Sequence, residues 1–217
     1  LDAPNLRQYV FKEHEGSYLV GVAAAHASQT AKVGFVGGMD IPLIRKFACG
    51  YVGGVKSVNA SADVFQNMTG TTPSAWNDPA KGAELTKSQI DRGADVVYHA
   101  AGGTGMGVIQ AAVDSGKLAI GVDSNQNGIA PGSVLTSMLK RVDVAAYETF
   151  MDAKNGKFSS GIRVLGIAEG GVDWAVDDNN ASLITDTIKS AVETARSNIL
   201  SGKVSVHNYE SDSSCPY

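Results

Sequence analysis

The chain has 217 residues, 43% of them hydrophobic and 25 of them glycine, enough for one sizeable core or two modest lobes. Its 18 basic and 22 acidic residues leave a net charge of -4 with no long like-charge run, which argues against a nucleic-acid surface, since that usually needs a basic stripe. No stretch of it is long and apolar enough to span a membrane as a helix.

The opening LDAPNLRQYVF reads as neither a signal peptide nor a lipidation sequence. Residues 13–26 read as a helix, with Tyr18, Val22 and Ala25 on one face and Gly21 and Ala24 small enough for close packing. Residues 33–36 form a short apolar strand that Gly37-Gly38 ends. Residues 41–58 are helical, with Ile44, Phe47, Tyr51 and Val55 at helical spacing and Pro42 in the first turn. Cys49 falls in this helix and reads as a buried thiol. Cys215 sits in the polar tail, and two cysteines set no disulfide framework. A strand is expected over 61–68, then a polar loop carrying Trp76, then a helix over 79–91. The stretch GADVVYHAAGGTG (93–105) passes from helix end to buried strand to a glycine-rich turn. A helix over 104–115 follows, then strands over 118–122 and 134–138. Strands alternating with helices predict an α/β fold, its parallel sheet covered on both faces.

After Lys140 a helix is expected to about 154. Residues 162–167 read as extended and 172–176 as a short apolar segment. A final helix over 182–199 carries Ile184, Ile188, Val192 and Ala195 on one stripe and ends at Gly202. Because the first element read is a helix, the strand that should feed it is expected to be missing. On that reading the first helix and the one after Lys140 cover a sheet absent from this chain, with Tyr18, Val22 and Tyr147 on the uncovered faces.

The segments KVGFVGGMDIPLIRKFACGYVGGVKSVN, TTPSAWNDPAKG, GADVVYHAAGGTGMGVIQAA, IGVDSNQN and VLTSMLKRVD occur in one order. Together they resemble the basic membrane protein family of bacterial ABC-transporter substrate-binding proteins, over about residues 5–209. The resemblance implies a type I periplasmic-binding fold, two α/β lobes closing on a ligand, with the N-terminal lobe largely absent. It implies this division: 1–32 as the end of the first lobe and a crossover, 33–140 as the second-lobe core, 141–160 as a helix returning to the first lobe, and 161–217 as a crossover with the last second-lobe helix. It further implies a purine nucleoside as ligand and an ABC permease and the missing lobe as partners. The setting implied is the periplasm or the outer face of the cytoplasmic membrane, with a lipid anchor on an N-terminus not present here.

Several residues could contact such a ligand. Asp123, after a buried strand, could accept two hydrogen bonds from sugar hydroxyls, or could form a turn with Ser124 and Asn125. The family often has a second Asp where Asn125 stands, so a charge is missing there. Trp76 could stack on a base, or pack within its lobe; the family usually carries Phe. Ala101, Gly102 and Gly103 allow close main-chain approach, or simply turn the chain. GGTGMG lacks the lysine and Ser/Thr of a phosphate loop. Lys140 could donate to the ligand, or start a helix in solvent. Asp40 reads as the cap of the Pro42 helix, with Arg45 beside it. His99 has no Ser or Cys paired with it and reads as a core or rim histidine. No catalytic set, metal set or cofactor is expected. The leading function is a transport receptor; the alternatives are a ligand sensor of the same fold and an enzyme acting on nucleosides or sugars.

Overall fold

A computed structural model describes residues 3–217; Leu1 and Asp2, part of the first expected segment, lie outside the described residues. β1 (Arg7–Phe11) and α1 (Glu13–Ala27) come first. Then β2 (Lys32–Met39), α2 (Pro42–Val58), β3 (Asp63–Gly70), α3 (Pro79–Asp91), β4 (Val96–Ala100), α4 (Gly105–Asp114), β5 (Leu118–Asp123) and β6 (Val134–Lys140) follow. α5 (Val142–Lys154), β7 (Gly161–Leu165), β8 (Val172–Trp174) and α6 (Asp186–Leu200) complete the order.

One six-stranded sheet runs β3-β2-β4-β5-β6-β8. The pairings from β3 across to β6 are parallel, as expected, while the short edge strand β8 joins β6 antiparallel. Alternate residues face opposite sides. Phe35, Tyr98, Ile120 and Met138 join one core with residues of α1, α2 and α6. Val36 and Val97 pack with Val108 of α4, and Ala119 and Val134 with Ile109 and Ala112. The chain moves to one side of β2 to lay down β3, then to the other for β4, β5 and β6. That reversal leaves a crevice beyond the carboxyl ends of β2 and β4, where loops diverge.

α1 corrects the expectation that it covers another sheet. It is buried from Glu13 to Ala24, with Tyr18 and Val22 only 6% and 3% exposed. It lies against α2, α6 and strands β6 and β8. Gly50 and Gly54 of α2 face the backbone at His14 and Tyr18, leaving no room for a Cβ, so the helices meet main chain to main chain. Nor is α1 unfed: β1 precedes it and pairs in parallel with β7, from Arg7 opposite Gly161 to Phe11 opposite Leu165. α5 behaves differently. Ala145 is its one buried residue, and Tyr147 and Phe150 are 66% and 75% exposed. The expected thiol at Cys49 is also corrected: Cys49 and Cys215 form a disulfide across 166 residues, with Cα atoms 5.6 Å apart.

Candidate functional site

The crevice at the sheet edge holds a cavity of about 210 Å³. The five residues expected at a ligand site, Trp76, Ala101, Gly102, Asp123 and Lys140, all line it. α2 supplies an apolar wall of Leu43, Ile44 and Phe47, and Ala100 and Val122 close the floor. The parallel register explains the convergence, because β4, β5 and β6 all deliver their carboxyl ends to the same edge.

Trp76 ends a short 3₁₀ turn, Pro73–Trp76. Its indole lies against Gly38, where a Cβ would collide with the ring, and its main chain borders Gly102 and Gly103. Gly102 takes φ +57°, a left-handed turn that suits glycine. Thr104 ties the two loops together: its hydroxyl donates to Ala75 O (2.8 Å) and accepts from Asp78 N (2.7 Å). The platform is therefore fixed from below.

Asp123 stands at the end of β5 with φ +63°, a conformation Asp tolerates better than most residues. The local Asx turn is built instead by Asn125, whose Oδ1 accepts from Asn127 N at 3.0 Å. Asn125 Nδ2 donates to Asp177 Oδ2 (2.6 Å) and holds the Asp177 carboxyl below its usual range. A second Asp at that position would face Asp177 carboxylate to carboxylate. Lys140 Nζ lies 3.7 Å from Asp123 Oδ1 and 3.6 Å from Glu13 Oε1. It sits over the rings of Phe11 and Phe47, 5.7 and 5.9 Å from their centroids. Partial desolvation at the cleft pushes the half-exposed Asp123 carboxyl above its usual range; Lys140 pulls it back and Glu13 adds to the rise.

The remaining expectations divide. Asp40 does not cap α2. Arg45 takes both its oxygens at 2.7 Å, and Ile41 stands at the cap. His99 is fully buried, and its Nε2 donates to Gln126 Oε1 at 3.0 Å. Gln126 Oε1 also accepts from Val122 N, so His99 braces the loop that carries Asp123. Burial lowers the His99 pKa to about 4, leaving a neutral ring. Sequence reasoning missed Glu13, Lys46 and Phe11. The one sign of Phe11 is an aromatic just before the KEHEG run. For Glu13 and Lys46 no local signal marks burial. Among the described residues, no group of three His, Cys, Asp or Glu side chains could hold a metal ion.

The family model for PnrA-like ABC transporter substrate-binding proteins (Bmp) matches residues 2–209. The chain is 36% identical to the ABC transporter nucleoside-binding protein BmpA of Lactococcus lactis, over 94% of this chain and 61% of that protein. It is 32% identical to basic membrane protein D of Borreliella burgdorferi, over 93% of this chain and 59% of that one. The chain thus spans about 60% of the length of these curated relatives. A crystal structure of an ABC transporter solute-binding protein from Aeropyrum pernix superposes with a TM-score of 0.83 at 26% identity, covering 96% of this chain and 68% of the other.

Proposed function

Because the chain belongs to the Bmp family of PnrA-like ABC transporter substrate-binding proteins, we propose that it binds a nucleoside, with purines preferred, for uptake through an ABC permease. The observation that carries this is the juxtaposition of an indole face, a carboxylate and an ammonium around one apolar cavity. Trp76 offers a π-surface to a base, and a two-ring base buries more of it. Asp123 accepts from two ribose hydroxyls, Lys140 donates to the base or sugar, and the Ala101–Gly102 main chain approaches closely. The cavity is smaller than the roughly 300–1,000 Å³ of a complete small-molecule site. One wall of an interlobe cleft would have that size, and the absent first lobe would close it.

Binding and release is the whole chemistry proposed; no bond is made or broken. The Cys49–Cys215 disulfide suits an oxidising compartment, which supports a place outside the cytoplasmic membrane, held there by a lipid anchor beyond this sequence. The test is a titration of the full-length protein with purine nucleosides, pyrimidine nucleosides, free bases and ribose, read by tryptophan emission. Trp76→Phe should keep binding and lose most of the optical change; Trp174→Phe should keep both. Ribose binding as well as inosine or guanosine would overturn stacking, and no binding by any nucleoside would remove the assignment.

A further inference from the structure

We infer that Glu13, which does not line the cleft, is the positioning residue for Lys140, and that it keeps the Asp123 carboxylate available to ligand; the second half rests on the nucleoside reading above. Glu13 opens α1 and is 4% exposed. Its two oxygens have different partners: Oε2 lies 2.8 Å from Lys46 Nζ and Oε1 lies 3.6 Å from Lys140 Nζ.

Lys46 is held hard. It is 2% exposed and lies 2.9 Å from both Phe11 O and Glu210 Oε2. Phe11 O accepts a hydrogen bond from this buried ammonium, and the Glu13 and Glu210 oxygens pair with it by charge, which keeps that Glu13 oxygen beside Lys46. The other oxygen then points at Lys140. The Lys140 ammonium stands between two carboxylates at nearly equal distances, 3.6 Å from Glu13 and 3.7 Å from Asp123. Screening separates them, since the side chains are 5% and 54% exposed. The buried carboxylate holds the ammonium more strongly at the same distance. The groups around this set are Lys46 and Glu210 from α2 and the tail, the buried Tyr98 hydroxyl bonded to Ser17, and His14, which burial keeps neutral. None of these replaces Glu13 as a carboxylate facing Lys140.

Without Glu13, Lys140 is free to close on Asp123 and occupy the oxygens a ribose would use. The experiment titrates carboxyl carbons by ¹³C NMR in unliganded full-length protein, alongside nucleoside calorimetry. Glu13→Gln should lower the Asp123 midpoint and weaken nucleoside binding roughly 10-fold, and in a Lys140→Met background it should weaken binding less than about 2-fold. Lys140→Met alone, which also removes a cavity-lining donor, should raise the Asp123 midpoint. An unmoved Asp123 midpoint in Glu13→Gln would overturn the inference, as would the same 10-fold loss of binding when Glu13→Gln is made in the Lys140→Met background. If wild type binds no nucleoside, the functional reading fails, while the carboxyl titrations still decide the role of Glu13.

Discussion

Replacing Asp123 by Asn separates the charge of this residue from its shape. The backbone there is left-handed at φ +63°, which Asn accepts as readily as Asp; Ala would add about 1 kcal/mol of strain to any readout. The pair with Lys140 is 3.7 Å long between side chains 54% and 23% exposed, so after screening it contributes less than about 1 kcal/mol to folding. Thermal stability should hardly move. Binding should. Two hydroxyls donating to a carboxylate make bonds of about 1.5–3 kcal/mol each, against about 0.5–1.5 for neutral partners. An amide keeps one acceptor and turns a donor toward the second hydroxyl. The net loss is about 2–3 kcal/mol, or roughly 30- to 150-fold in affinity. Calorimetry with a purine nucleoside and with its free base tests this, because the base has no ribose to lose. There is a companion in pH. Binding needs the ionised carboxylate, whose pKa burial raises, so wild-type affinity should fall on the acid side earlier than an ordinary Asp would allow. Asp123→Asn should flatten that limb. Equal losses for nucleoside and base would refute the placement of Asp123 on the sugar.

Three other outcomes are expected. Burial lowers both His14 and His99 to about 4; the unfolded chain then binds more protons between there and about 6.5, so stability should fall as pH drops through that window, by up to about 3 kcal/mol for each. Urea melts at pH 7.5 and 5 check this, and a His99→Gln curve as steep as wild type would discount His99. Reducing Cys49–Cys215 opens a loop closed across 166 residues and should cost about 2–5 kcal/mol; a urea midpoint unchanged by reductant would show that the tail adds nothing. The exposed Tyr147, Phe150 and Ile162 should make this 217-residue stretch self-associate when produced alone, and Phe150→Glu should reduce it; light scattering that shows a monodisperse wild-type monomer rejects the idea.

The sheet was legible in sequence because its central strands β2, β4, β5 and β6 are buried on both faces. Runs such as Val96, Val97 and Tyr98 need no alternation to be seen, and glycines mark where they stop. The candidate site followed, since loops after parallel strands share one edge. What sequence hid was partnership. α1 is buried on nearly every side from Glu13 to Ala24, so the face read from Tyr18, Val22 and Ala25 did not identify which sheet it covers. β1 is five residues that include Arg7 and Gln8, too short and too polar to stand out. β8 has three residues, and nothing local sets its direction. Asp40 has the chemistry of a cap, but Arg45, five residues on, takes both its oxygens. Nothing local marks Glu13 and Lys46 as buried, because burial is decided by the elements that fold over them.

The covalent link from Cys49 to Cys215 also sets how the molecule carries load. Tension applied at the C-terminal tail enters α2 at Cys49 and bypasses everything between. With the link closed, the 166 residues it spans cannot pay out, and about 600 Å of contour length stays locked. A tether on Tyr217 therefore pulls on the helix that walls the cavity rather than peeling α6 from α1.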